Sequence, residues 1–248
     1  NGRDDKALRV LERIAGKGQA AATLREIQGT LHEKNAPWLS YGFFLIFIGV
    51  LLSVFQQFVG INVVLYYAAN IFRDMGASTD SSLLQTIIVG FVNGIFTVVA
   101  IATVDKFGRK PLMIIGSIGM AISMIGLGLT FYLGHVGLAS LVFMLTYTAA
   151  FAMSWGPVCW VLLAEIFPNS IRGALSIAVA AQWIANWVVS LTFPMLNENH
   201  YLKDHFHYGF SYWIYGVMGI LSAIFIWKLV PETKGKTLEE IEGLWKKK

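Results

Sequence analysis

Charged residues are scarce in this chain of 248 residues: Asp, Glu, Lys and Arg make up 14% of it, against about 25% in soluble globular domains. Hydrophobic residues make up 56%, and the mean hydropathy is +0.60. This balance excludes an ordinary water-soluble domain and predicts an integral membrane protein in contact with a lipid bilayer. The net charge of +4 does not predict a nucleic-acid partner, because the basic residues lie between apolar runs and form no single charged face.

Cysteine is almost absent as well. The single Cys159 lies within an apolar run, which excludes a disulfide framework or a thiolate metal site within the chain. No signal peptide precedes the first apolar run and residue 1 is Asn, which leaves open that the chain is the later part of a longer protein. The sequence groups no nucleophile, base and metal-ligand set, and this counts against an enzyme and against a cofactor.

Six apolar stretches follow a polar N-terminal segment, and each has at least the roughly 20 residues that a spanning helix needs. They cover residues 39–72, 81–104, 111–133, 136–167, 171–196 and 208–230. We therefore expect an all-α protein with a six-span bundle over residues 37–230, a cytoplasmic linker over 1–36 and a cytoplasmic tail over 231–248. The segment 1–36 carries two short amphipathic patterns that predict cytoplasmic helices, with a solvated charged linker as the alternative.

The basic residues predict the orientation of the spans. Seventeen of the 19 Lys and Arg residues flank alternate span ends on one side, and only Arg73 and Lys203 flank the other. By the positive-inside rule, both termini and the loops at 105–110 and 165–173 should lie in the cytoplasm.

Three amides interrupt the first apolar stretch: Gln56, Gln57 and Asn62. An unpaired amide in hydrocarbon costs roughly 2 to 7 kcal/mol, so these side chains must face protein, water or a ligand. Each carboxamide both donates and accepts hydrogen bonds without carrying a charge, which favours an uncharged, hydroxyl-rich ligand such as a sugar. Gln57 and Asn62 lie about 140° apart on an ideal helix, so their convergence requires a break, which Gly60 between them permits.

The fourth stretch contains Pro157, which breaks or kinks a helix. Interrupted first and fourth spans are typical of a transporter half built from an inverted three-plus-three repeat, with its substrate near the interruptions. A kink that serves packing alone is the alternative for Pro157.

Further amides at membrane depth are Asn93 and the pair Gln182 and Asn186, which share one helix face. For Asn93 and Asn186, bonding between helices is as good an interpretation as ligand binding. For Gln182, beside Trp183, we favour a ligand. No Asp, Glu, Lys or Arg lies near the middle of a span, so these six spans offer no proton-coupling site.

The outer loop at 197–208 holds three histidines and two acids, a composition that permits a metal site. They are His200, His205, His207, Glu198 and Asp204. Their spacing matches no defined metal motif, so we predict a polar loop without a metal.

Five motifs in order resemble those of one family. They are Gln-Gln-x-x-Gly-x-Asn-x-x-x-Tyr-Tyr at 56–67, Asp-Lys-Phe-Gly-Arg-Lys at 105–110, Gly-Pro-x-x-Trp at 156–160, Glu-x-x-Pro-x-x-x-Arg-Gly at 165–173 and Pro-Glu-Thr-Lys-Gly at 231–235. With this spacing the chain resembles the C-terminal half of the twelve-span sugar porters of the major facilitator superfamily. It is most similar to bacterial members that carry D-xylose with a proton.

The resemblance implies alternating-access transport of a xylose-like or glucose-like monosaccharide, coupled to a proton in the complete protein of the bacterial inner membrane. The implied sugar-binding residues are Gln56, Gln57, Asn62, Tyr66, Asn93, Trp160, Gln182 and Trp183. The implied cytoplasmic gate consists of Asp105, Arg109, Glu165, Arg172 and Glu232, charged residues that would form ion pairs when the inner side is closed. A transporter-like sugar sensor that binds without net transport is the alternative.

The chain departs from the family in two places. The first six spans are absent, and with them the N-terminal partner half and the acidic proton site that the family places there. The segment after Arg172 is one residue shorter than usual before Gln182. One missing residue turns a helix by about 100°, so the packing around Arg172 differs from the family's unless the preceding turn absorbs the change.

Overall fold

A computed structural model describes residues 4–31, 37, 40–74, 78–236, 240–241, 243 and 245. Within these ranges the regular structure is entirely helical. The helices are α1 (Asp4–Ala15), α2 (Lys17–Leu31), α3 (Phe43–Phe58), α4 (Ile61–Asp74), α5 (Thr79–Phe107), α6 (Arg109–Tyr132), α7 (Leu138–Met153), α8 (Pro157–Ile166), α9 (Leu175–Asn197), α10 (His200–Phe206) and α11 (Gly209–Leu229), with a 3-10 helix at Asn169–Ala174 before α9.

The described part of the chain contains six helical segments long and apolar enough to cross a membrane. Two of them combine a pair of helices: α3 with α4 over Phe43–Asp74, and α7 with α8 over Leu138–Ile166. The other four are α5, α6, α9 and α11. This confirms the six predicted spans, with ends displaced by a few residues.

Both predicted interruptions are present. Gly60 separates α3 from α4 with φ 95°, a conformation that side-chain-bearing residues rarely adopt. Pro157 occupies the first turn of α8, where its missing N–H costs nothing, and Ser154 just before it has non-helical φ and ψ. Each break leaves backbone groups at membrane depth, which is tolerated where they are buried in protein.

The spans pack in neighbouring pairs. The most extensive contacts join α6 to α11, α6 to α7 and α3 to α9, and α1 packs against α2. The buried centre includes Trp155, whose indole N–H donates to the Ser117 hydroxyl at 2.7 Å. Of the six spans, α5 and α9 are the least buried, and both carry exposed apolar side chains.

Candidate functional site

Four of the predicted sugar-binding residues lie together beside the break in the first span. Gln57 Nε2 and Gln182 Nε2 both donate to Gln56 Oε1, each at 2.6 Å, and Asn62 Nδ2 donates to Gln57 Oε1. The cluster therefore joins the end of α3, the beginning of α4 and the middle of α9.

The cluster extends along α9 to a residue that sequence reasoning left undecided. Asn62 Nδ2 also donates to Asn186 Oδ1 at 2.8 Å, and the Ser190 hydroxyl donates to the same oxygen at 3.2 Å. We call Gln56, Gln57, Asn62, Gln182 and Asn186 the amide network. The four-residue spacing from Gln182 to Asn186 was the sequence signal for the last member, and Ser190 continues it.

The three glutamines of the network are buried, Asn62 and Asn186 are half-buried, and not every polar atom there makes a hydrogen bond. Gln56, Gln57 and Gln182 are only 5 to 6% exposed. Among the described residues, the buried Oε1 atom of Gln182 has no hydrogen-bond partner, and neither has the Ser53 hydroxyl one turn before Gln56. A buried polar atom without a partner costs about 1–3 kcal/mol, so this face of the network is suited to a ligand that brings hydroxyl groups.

The other predicted sugar-binding residues stand apart from the network. Trp160, Trp183 and Tyr66 are 44%, 65% and 60% exposed, and Asn93 is half-buried. Over the described residues, no side-chain hydrogen bond or ring contact joins them to the network. Their exposed rings and amide can pack against a ligand or another part of the protein.

Three residues of the predicted cytoplasmic gate form ion pairs with one another. Arg109 Nη2 lies 2.8 Å from Glu165 Oε1, and Arg109 Nη1 lies 2.9 Å from Asp105 Oδ1. The second Glu165 oxygen accepts from the Thr233 hydroxyl at 2.6 Å, so one carboxylate connects α6, α8 and the segment after α11. The Arg109 side chain is only 13% exposed, so this ion pair is better shielded than a surface pair.

Glu232 lies at the same place but has a different role from the predicted ion pairing. Its carboxylate accepts the backbone N–H groups of Arg109 and Lys110, both at 3.1 Å, at the N-terminus of α6. A carboxylate is favoured there because the first N–H groups of a helix lack intrahelical partners. The side chain of Arg172 lies outside the described residues, so the structure does not place this member of the predicted gate.

The histidines of the loop at 197–208 contact an acid or the backbone. His200 Nδ1 lies 3.6 Å from Asp204, while His205 Nδ1 and His207 Nδ1 lie 2.9 and 3.0 Å from backbone carbonyl oxygens. Across the described ranges, no three His, Cys, Asp or Glu side chains come together as metal ligands.

Comparison with known proteins identifies the family. A family profile described as "Sugar (and other) transporter" matches residues 1–245. The chain belongs to the sugar transporter family.

Two relatives are named as sugar transport proteins. The D-xylose-proton symporter of Escherichia coli K12 is 61% identical over 248 residues, which cover 98% of this chain and 50% of the relative. The glucose facilitated diffusion protein of Zymomonas mobilis is 43% identical over 250 residues, covering 99% of this chain and 53% of the relative. This sugar transporter family member thus spans about half the length of the curated relatives it matches.

Solved structures show the same fold. The major facilitator superfamily proton:xylose symporter XylE, bound to 6-bromo-6-deoxy-D-glucose, matches with a TM-score of 0.84 at 60% identity, covering 98% of this chain and 52% of that chain. The sugar transporter family chain therefore has the fold of half of a major facilitator superfamily transporter, as predicted. Its relatives are named as transporters, which gives the sensor and enzyme alternatives no support.

Proposed function

We propose that this chain is the C-terminal half of a twelve-span transporter that carries a neutral monosaccharide, D-xylose above all, by alternating access. The observation that carries the proposal is the amide network beside the broken first span, in which the buried Gln182 oxygen has no partner among the described residues. A sugar hydroxyl can donate a hydrogen bond to that oxygen and accept one from a neighbouring amide. It can therefore replace hydrogen bonds that the amides make with one another. The name of the E. coli relative supports xylose as the sugar.

Within this proposal, the network recognises hydroxyl groups and the exposed aromatic residues enclose the ring. Gln56, Gln57, Asn62 and Gln182 supply donors and acceptors. Trp160, Trp183 and Tyr66, with the amide of Asn93, complete the site. An indole face packs well on the C–H face of a pyranose and excludes water, which strengthens every hydrogen bond inside. Burying a neutral ligand also avoids the desolvation of a charge.

The proposed cytoplasmic gate is the group formed by Asp105, Arg109, Glu165 and Glu232, with Arg172 as a further member. In the described geometry these contacts hold the inner ends of α5, α6 and α8 and the segment after α11 together. If they exist only when the inner side is closed, they bias the population toward the outward-facing state.

The proposed arrangement in the bacterial inner membrane follows the positive-inside rule, with residues 1–36 and 231–248 in the cytoplasm. A six-span N-terminal half completes the sugar site and carries the proton-coupling group. Amides, indoles and phenols keep one charge state over the working pH range, so the polar groups of this half bind sugar and do not carry the proton.

The test compares binding with transport in the complete protein. Calorimetric titration with D-xylose measures binding in detergent, and uptake of labelled xylose into vesicles measures transport. We expect both. Binding without uptake would support a sensor, and absence of both would refute the proposal.

A further inference from the structure

The break in the first span leaves a backbone carbonyl at membrane depth, and a side chain of the fourth span donates a hydrogen bond to it. The Tyr147 hydroxyl on α7 donates to the carbonyl oxygen of Val59 at 2.8 Å. Both residues are fully buried. A backbone carbonyl in this environment must be satisfied from within the protein, because no bulk water reaches it. The hydroxyl therefore supplies a partner beside a break in the helical ladder.

A second tyrosine packs against the same turn. The ring of Tyr215, on α11, lies so close to Gly60 that a β-carbon there would come within 2.8 Å of its Cγ. Gly60 also has φ 95°. Two rings from two other spans thus hold the Val59 and Gly60 turn, one by a hydrogen bond and one by contact.

The geometry of this turn decides where two members of the amide network stand. Gln57 precedes the turn and Asn62 follows it. On an unbroken helix they would lie about 140° apart, yet here Asn62 Nδ2 donates directly to Gln57 Oε1. A change in the turn moves α4 relative to α3 and separates these two amides.

We infer that Tyr147 is a positioning residue for sugar binding: its hydroxyl fixes the turn at Val59 and so holds Gln57 and Asn62 at the spacing that the ligand requires. Its role is indirect, because its described hydrogen bond goes to the backbone and not to the network. The link also connects the two interrupted spans, since α7 ends at Met153 beside the second break. This inference rests on the proposed function.

The test is Tyr147→Phe in the complete transporter, which removes the hydroxyl and keeps the buried ring. We expect D-xylose to bind roughly tenfold more weakly, in the range for a buried partner left unsatisfied. The matched control is Thr148→Val on the same helix, whose buried hydroxyl bonds to the Met144 carbonyl and not to the break. Thr148→Val should leave xylose affinity unchanged, and thermal unfolding in detergent measures the stability of both variants.

A double-mutant cycle separates positioning from general loss of stability. If Tyr147 acts through Asn62, combining Tyr147→Phe with Asn62→Ala weakens binding by less than the product of the two single effects. Independent effects would contradict the inference. Gly60→Ala perturbs the same turn and provides a second variant with the same expected loss of affinity.

The outcomes distinguish the inference from the function beneath it. A wild type that binds neither D-xylose nor D-glucose overturns the proposed function and the positioning role together. A wild type that binds xylose, with Tyr147→Phe and Thr148→Val of equal affinity, overturns the positioning role alone.

Discussion

Replacing Gln57 by Ala in the complete transporter should weaken sugar binding without abolishing proton coupling. Gln57 stands in the middle of the network: its Nε2 bonds to Gln56 Oε1 and its Oε1 accepts from Asn62 Nδ2. The truncation removes one proposed sugar contact and one hydrogen bond from each of two neighbouring amides, Gln56 and Asn62. At about 1–3 kcal/mol for partners left unsatisfied in a closed site, the dissociation constant should rise roughly 5- to 150-fold.

The matched control is Gln85→Ala, because Gln85 is a half-buried amide on α5 outside the network. Calorimetric titration with D-xylose should show the loss of affinity in Gln57→Ala and not in Gln85→Ala. Uptake against external pH should keep its proton dependence in Gln57→Ala, since an amide does not titrate. Equal affinity of the two variants would refute the assignment of Gln57 to the sugar site. Residual uptake that no longer responds to pH would show that this half takes part in proton coupling.

Three further predictions concern the gate, the ligand and the turn before α6. Glu165→Gln weakens the ion pair to Arg109, so it should increase labelling of introduced cysteines from the cytoplasmic side and slow transport, with xylose affinity retained; unchanged labelling would contradict the gate. The network carries no formal charge, so calorimetry should detect D-xylose or D-glucose and no sugar phosphate, and tight binding of the phosphate alone would contradict the ligand class. Gly108→Ala puts a β-carbon at φ 93° and 2.8 Å from Glu232 Oε2, and it should lower the free energy of unfolding by about 1–3 kcal/mol because that backbone conformation is largely confined to glycine. Gly90→Ala, with open space around it, is the control in thermal unfolding, and equal stability of the two variants would contradict the strained turn at Gly108.

Much of the fold could be predicted from local features. Apolar length alone defined the six spans, because a bilayer admits only helices of a certain length. The breaks were predictable as well: Gly60 lies between two amides that an unbroken helix would separate, and Pro157 cannot continue a helix. The cost of an amide in hydrocarbon then required Gln56, Gln57 and Asn62 to find partners, and they bond to one another across the break.

The contacts between spans could not be predicted in this way, because they depend on which spans become neighbours and no single position in the sequence shows that. Asn186 was undecided because helix phase shows a face but not what that face meets. The Tyr147 bond to Val59 joins residues 88 apart in the chain and has no local signal. Glu232 was predicted as an ion-pair partner from its charge and motif. Its carboxylate instead meets backbone N–H groups, because the segment after α11 lies against the N-terminus of α6.

If this chain is the sugar-binding half of a proton-coupled carrier, as proposed, the complete protein must transport sugar against a gradient. Labelled D-xylose uptake should be measured in vesicles containing the complete protein, with and without an inward proton gradient. We predict xylose accumulation driven by the gradient, and almost complete loss of uptake when Gln56 and Gln182 are both replaced by Ala. Gradient-driven accumulation that is unchanged in the double variant, or binding of xylose without any uptake, would refute the proposed function.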